Sequence, residues 1–166
     1  MPAGNFVFGP AKSMLAAAVI DWDTPGASNL YCVFLGSGAS SALSATSGVV
    51  DYVSMSQIAT NLSAFQFGGG GYTVGGLSLA GRGISTLGGD AYLTASNLSI
   101  AAMTAGQNAS NSDVSDLIIY YAHSLSGGAS STAGIPVARL KLAQPYTGTG
   151  ASFTITWSSN GIIKLA

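Results

Sequence analysis

Side chains that could carry acid–base or metal chemistry are few in this sequence. The 166 residues include one histidine, His123, one cysteine, Cys32, six aspartates and no glutamate. A single histidine without a nearby cysteine or glutamate lacks the other ligands of a metal site. Cys32 lies inside an apolar run, which is typical of a small buried side chain rather than a nucleophile. We therefore predict a non-enzymatic protein with no catalytic residues, no metal and no cofactor.

The close pairs of carboxylates are the remaining candidates for a metal site. Asp21 and Asp23 are two residues apart, and Asp113 and Asp116 are three apart. Such pairs can contribute to a calcium site, but neither lies in the ligand-dense, glycine-containing loop that calcium sites use. We interpret the first pair as a helix end and the second as part of a solvated, polar turn over residues 104–116.

The composition excludes several classes of partner. Charged residues make up 7% of the chain, against about 25% in an ordinary domain, and the net charge is −1. This balance gives no basic surface for nucleic acid.

The apolar residues are distributed in short runs. The sequence contains no run of 18 or more apolar residues, the length that a membrane-spanning helix needs. The weakly charged surface favours a chain covered by neighbours in an assembly, and a secreted β-domain with a neutral Ser/Thr surface is the other reading. The N-terminus lacks a cationic signal region, so we expect synthesis in a cytoplasm.

Four short apolar runs dominate the C-terminal part of the chain, and turn-forming residues separate them. They are residues 117–122, 135–142, 151–157 and 162–165. In the third run Phe153, Ile155 and Trp157 alternate with Ser and Thr, which predicts a half-buried strand with these three side chains in the core. Asn160-Gly161 predicts a hairpin turn between the last two runs. We expect an antiparallel meander.

The N-terminal part adds two helices and more strands. Residues 10–20 are rich in Ala, Leu and Met and predict a helix with Pro10 in its first turn. Residues 55–65 have apolar side chains at helical spacing and predict a second, short helix. The apolar run Leu30–Leu35 predicts a strand buried on both faces. Further strands are expected at 49–53, 72–80 and 92–100, with a glycine-rich turn region at 81–90. The result is one mainly β domain over residues 1–166, an antiparallel β-sandwich or jelly roll of seven or eight strands.

Residues 1–9 predict a short N-terminal arm, with a short strand as the alternative for residues 6–8. Phe6, Val7 and Phe8 form an apolar triplet just before Gly9-Pro10. A free arm of this kind can lie along a neighbouring subunit, so we predict that these three side chains belong to an interface.

Several short motifs follow one another in a recognisable order: IDW at 20–22, LYCVFL at 30–35, YTVGGLSL at 72–79, LIIY at 117–120, FTITW at 153–157 and GIIKL at 161–165. This order resembles that of small virion proteins encoded near the major capsid gene of tailed bacteriophages. The chain departs from their pattern at Asn97, where an acidic residue is common. It also has longer Ser/Gly-rich loops at 36–48 and 127–134, and it lacks glutamate.

The resemblance implies a capsid decoration, or cement, protein. Such a protein is a non-enzymatic β-sandwich on the head surface of the virion, where it clamps neighbouring subunits of the major capsid protein. The resemblance further implies a homo-oligomer on the shell, either a dimer or a trimer. The alternative is a receptor-binding or adhesin β-domain associated with a tail or tail fibre, because Ser/Gly/Tyr-rich loops between strands can present sugar-binding surfaces.

Overall fold

The computed structural model describes residues 5–23, 29–39, 43, 51–62, 66–73, 75–106, 112–122 and 134–165. His123 and most of the loops at 36–48 and 127–134 lie outside these ranges. The described residues form two helices, α1 (Gly9–Ala16) and α2 (Met55–Leu62). Neither helix is long and apolar enough to cross a bilayer.

Ten strands account for most of the described structure, and all of their pairings are antiparallel. They are β1 (Phe6–Val7), β2 (Leu30–Leu35), β3 (Leu77–Ser78), β4 (Gly83–Leu87), β5 (Asp90–Thr94), β6 (Leu98–Ile100), β7 (Asp113–Tyr121), β8 (Ile135–Thr147), β9 (Phe153–Ile155) and β10 (Ile163–Leu165). The strands form three sheets, with orders β1-β8-β7-β2-β3, β10-β5-β4 and β6-β9. The predicted mainly β, antiparallel class is confirmed.

The centre of the five-stranded sheet carries the core. Every residue of β7 from Val114 to Tyr120 is buried, and five of the six residues of β2 are buried. Because successive side chains of a strand point to opposite faces, consecutive buried residues mean that both faces are covered. The prediction for Leu30–Leu35, a strand buried on both faces, is confirmed. Burial of its aliphatic and aromatic side chains stabilises the fold by roughly 1.5–3 kcal/mol each.

Helix α1 begins where the sequence predicts and ends four residues early. Pro10 lies in its first turn, where the missing N–H is not needed. At its end Ala18 has a positive φ of 53°. The N–H groups of Ala18 and Val19 donate to the carbonyls of Leu15 and Met14, which is the Schellman pattern of helix termination. The helix therefore ends at Ala16, and the chain that follows reaches the sheet, where Trp22 bonds to Thr94.

The predicted C-terminal meander is wrong beyond the β7–β8 pair. Strand β9 pairs with β6, and β10 pairs with β5, so Asn160-Gly161 does not close a hairpin between them. The turn itself is present: Gly161 has a φ of 106°, and its N–H donates to the carbonyl of Ser158. Ile162 then donates to the carbonyl of Leu93. The local turn was predicted correctly, but the strands on either side find partners far away in the sequence.

Other segments also differ from the sequence-based expectation, among them residues 72–80, of whose described residues only Leu77–Ser78 form a strand. The glycine-rich region at 81–90 contains strand β4, and only Gly88 and Gly89 form the turn, with φ of 61° and 88°. The segment 92–100 is divided between β5 and β6, which lie in different sheets. Residues 51–53 are not a strand. Strand β4 could not be predicted from the sequence because glycines lie on both sides of it. Glycine has low strand propensity and is typical of turns.

The two tryptophans differ in burial. Ile155 is buried, but Trp157 lies just after β9 and stays partly exposed, with its indole N–H donating to the carbonyl of Ser96. Phe153 is half-buried and packs edge-on against Phe34. The deeply buried indole is that of Trp22, which is 3% exposed. The predicted alternation is present, and the core position is confirmed for Ile155, whereas Phe153 and Trp157 are only partly buried and pack against the core.

Candidate binding surface

An apolar groove of about 800 Å³ lies between the N-terminal segment and the three-stranded sheet. One wall comes from β1, α1 and residues 18–23, and the other comes from β4, β5 and β10. We call it the N-terminal groove. Its apolar lining includes Phe6, Leu15, Trp22, Ile84 and Leu165. Concave, mostly apolar sites with a few polar groups are the usual form of a binding site.

The floor of the N-terminal groove is held rigidly. Leu93 and Ile163 are neighbours across β5 and β10, and both are almost fully buried. Trp22 packs at the same place, and its indole N–H donates to the backbone carbonyl of Thr94 at 2.8 Å. This bond ties the chain that follows α1 to strand β5. Trp22 therefore links one wall of the groove to the other.

Charges of both signs line the groove. Lys12, Asp21 and Asp23 are exposed residues of its lining. Lys164 also lines it and forms an ion pair with Asp90 at 2.7 Å. The hydrogen bond and the charge of Asp90 raise the pKa of the Lys164 ammonium. The first predicted carboxylate pair thus belongs to a groove with mixed charge.

The predicted interface triplet lies in the protein's own sheet. Phe6 and Val7 pair with β8, and the N–H of Phe8 donates to the carbonyl of Val137 at 3.0 Å. Phe8 is fully buried, while Phe6 is half-buried and lies 5.9 Å from the guanidinium of Arg139. A free arm is therefore not what the structure contains at these residues, because pairing with β8 satisfies their backbone groups. Phe6 and Val7 nevertheless line the N-terminal groove.

A buried ion pair crosses β7 and β8. Two nitrogens of Arg139 donate to one oxygen of Asp116, at 2.6 and 2.9 Å, and the hydroxyl of Ser115 donates to the other at 2.7 Å. A third nitrogen of Arg139 donates to the carbonyl of Leu43. Both charged side chains are almost fully buried. Their hydrogen bonds within the protein make this cluster structural.

The second predicted carboxylate pair is not a solvated turn. Asp113 begins strand β7 and accepts a hydrogen bond from the N–H of Ser37 at 2.8 Å. Asp116 faces Arg139 inside the protein. The described residues contain no group of three or more His, Cys, Asp or Glu side chains that could hold a metal. The sequence signal for the ion pair was limited to Arg139, which interrupts the apolar run 135–142, whereas Asp116 directly precedes the run 117–122.

Three titratable groups are buried near β2. Burial raises the pKa of the Cys32 thiol and of the Tyr120 phenol. The hydroxyl of Tyr120 donates to the carbonyl of Gly75 at 2.6 Å. The hydroxyl of Tyr72 accepts a hydrogen bond from the N–H of Phe34, and burial raises the pKa of Tyr72 to about 12. These groups hold the turn at residues 75–76 and the chain around Tyr72 against the core.

We expect the free energy of unfolding to fall as the pH rises from about 10 towards 12. Tyr72 has a pKa of about 12 in the folded protein against 10.0 for the free side chain. The unfolded state therefore loses this proton first, and unfolding is favoured by about 1.4 kcal/mol per pH unit in that window. Burial of Tyr120 acts in the same direction. Urea midpoints measured between about pH 10 and 12 test this prediction. The free energy of unfolding of Tyr72→Phe should fall less steeply with pH than that of the native protein. The same slope for both proteins would contradict the raised pKa of Tyr72.

Strand β4 is an exposed edge beside the N-terminal groove. It pairs with β5 on one side, and Ile84 and Leu87 on it are 52% and 53% exposed. Its connection to β5 is the two-residue turn Gly88-Gly89, in which both residues have positive φ, as a type I′ hairpin turn requires. A free strand edge offers unpaired backbone groups to another strand, which makes β4 a candidate interaction surface.

The residues that carry the phage resemblance have structural roles in this fold. Trp22 anchors the groove, Tyr72 holds β2, and Tyr120 holds the turn at residues 75–76. In comparisons with known proteins, no family model matches the chain, and no curated protein or solved structure matches it significantly.

Proposed function

We propose that this chain is a non-enzymatic structural protein of a tailed-phage virion. It decorates the outside of the head and clamps neighbouring subunits of the major capsid protein, on a body whose sheets pack as a sandwich or jelly roll. The observation that carries the proposal is the N-terminal groove of about 800 Å³, with its apolar lining, on a chain of which 7% of residues are charged. The order of motifs along the sequence supports the assignment to phage.

The chemistry of the N-terminal groove suits a segment of another protein. Its apolar lining gains roughly 25 cal/mol for each Å² of apolar surface that a partner buries. The groove carries charges of both signs, on Lys12, Asp21 and Asp23. They can orient the few polar groups of a partner segment, and the segment need not be highly charged. The rigid floor under Trp22 reduces the entropy lost on binding. A largely apolar segment of the capsid subunit is the partner that fits.

Repetition on the shell then strengthens a modest contact. An interface of about 800 Å² per partner is enough for specific binding. On an icosahedral head the same site recurs at every equivalent position, and a protein that touches two subunits gains from the high effective concentration of the second. One chain, or one oligomer, that binds two neighbouring capsid subunits in this way holds them together across the joint between them.

We expect Ala16→Glu to prevent decoration of the head. Ala16 is exposed at the end of α1 and lines the groove. A partner seated there would have to make room for the longer side chain and take its carboxylate out of water, with Lys12 one turn earlier offsetting only part of that cost, so binding should weaken about tenfold. Purified protein is added to heads that lack it, and the bound copies are counted by quantitative mass spectrometry.

The matched control is Ser13→Glu. Ser13 is exposed on the same helix but does not line the groove, so this variant adds the same charge and should decorate like the native protein. Thermal unfolding of both variants shows that each is folded. Equal decoration by Ala16→Glu and by the native protein would contradict the role of the groove. Binding of the protein to tails instead of heads would favour the receptor-binding alternative.

A further inference from the structure

Strand β4 is the longest edge strand in the described part of the chain. It has five residues, whereas the other edge strands β1, β3, β6, β9 and β10 have two or three. Proteins usually protect an edge with a charge, a proline, a bulge or a very short strand. Strand β10, at the other edge of the same sheet, carries Lys164. Strand β4 reads Gly-Ile-Ser-Thr-Leu, and its pairing with β5 has no register shift.

The direction of the free backbone groups follows from the hairpin. Leu87 and Asp90 flank the two-residue turn and exchange hydrogen bonds, and in an antiparallel pair such residues alternate with non-bonded ones. Ser85 and Gly83 therefore also bond to β5. The N–H and C=O groups of Ile84 and Thr86 point away from it. No hydrogen bond found among the described residues uses them.

We propose that β4 pairs with β4 of a second copy of this chain, antiparallel and about a two-fold axis at Ser85. In this register Ile84 of one copy faces Thr86 of the other, and the two facing pairs form four backbone hydrogen bonds. The two three-stranded sheets then join into one continuous sheet of six strands. This self-pairing does not depend on the assignment to a virion.

The side chains of β4 are complementary to themselves in this register. Leu87 lies opposite Gly83 of the second copy, so the bulky, exposed side chain meets the residue without one. Ile84 lies beside Thr86, a β-branched pair that suits a sheet surface. The strand contains no charge, and the whole chain has a net charge of −1, so two copies do not repel strongly. A second copy therefore fits better than a partner strand of high charge.

A cysteine on the two-fold axis tests the register directly. Ser85 faces itself across the axis as a non-hydrogen-bonded pair, in which the Cα atoms are about 4.5 Å apart, a separation that a disulfide can span. Ser85→Cys should therefore form an intermolecular disulfide rapidly under mild oxidation. Ser152→Cys is the control, since Ser152 is exposed outside the strands. The native Cys32 is fully buried and should not react. Equal rates of cross-linking for the two variants would overturn the proposal.

A second variant tests the hydrogen bonds without the cysteine. Thr86→Pro removes an outward N–H, which β5 does not use, and proline is tolerated on edge strands. The variant should stay folded by circular dichroism, while its dimer dissociation constant in sedimentation equilibrium rises roughly ten- to hundredfold. Thr86→Ala keeps the N–H and should dimerise like the native chain. A native chain that stays monomeric at every concentration up to about 1 mM, or Thr86→Pro dimers as tight as native ones, would overturn the proposal.

Discussion

Replacing Asp116 with asparagine is expected to lower the free energy of unfolding by about 3–5 kcal/mol. The change removes the negative charge that faces Arg139, and the guanidinium stays buried with no counterion. An uncompensated buried charge is among the most damaging defects in a protein core. The loss is a large part of a total stability of about 5–15 kcal/mol. Urea unfolding followed by tryptophan fluorescence measures it.

The double variant Asp116→Leu/Arg139→Met is the matched control for this prediction. Replacing both members of a buried ion pair by apolar side chains of similar volume is often close to neutral. We therefore expect the double variant to regain at least half of the stability that Asp116→Asn loses. A double variant less stable than the single one would show that Ser115 and Leu43, which also bond to the pair, depend on it more than the charges do on each other.

Trp22→Ala is expected to cost about 3–5 kcal/mol of unfolding free energy and to open the N-terminal groove. The indole is 3% exposed, and its N–H bonds to the carbonyl of Thr94. Its removal leaves a cavity between the chain after α1 and strand β5. Thermal unfolding measures the loss of stability. Hydrogen exchange at residues 18–23 should rise because this segment loses its anchor.

Two further variants separate the contribution of the Trp22 hydrogen bond from that of its buried apolar volume, and compare the two tryptophans. Trp22→Phe keeps most of the apolar volume and loses the hydrogen bond, so it should cost only about 1–2 kcal/mol. Trp157→Ala removes the partly exposed indole and should cost less than half of what Trp22→Ala costs, because less surface returns to water. A larger loss for Trp157→Ala than for Trp22→Ala would contradict the burial of the two indoles in the structure.

The core strands could be predicted because their signal is local. The apolar run Leu30–Leu35 has the bounds of β2, and residues 117–121 form the C-terminal half of β7. Helix α1 begins at the predicted place, where Pro10 suits a first turn, and ends early because Ala18 adopts a left-handed conformation that no propensity scale expects of alanine. Composition and periodicity are enough to identify a mainly β chain, because the apolar pattern within each strand reflects which of its side chains are buried.

The pairing of the strands and the binding surface could not be predicted in the same way. Strand β9 bonds to β6 and β10 to β5, at sequence separations of more than fifty residues, and no local pattern encodes that choice. The pair of Asp116 and Arg139 joins charges 23 residues apart, one at the start of an apolar run and the other inside a later one. The N-terminal groove joins residues from both ends of the chain. For Phe6 and Val7 the sequence left a free arm or a strand open, and the structure has the strand, but nothing local in the sequence points to β8 as its partner.

The number of copies of this chain in purified virions tests the proposed role most directly. A decoration protein occupies the repeated sites of the shell, so quantitative mass spectrometry of virions made by the genome that encodes the chain should find on the order of hundreds of copies per particle. Copy number is measured against the major capsid protein of the same particles. A handful of copies per virion, or none, would contradict the proposal.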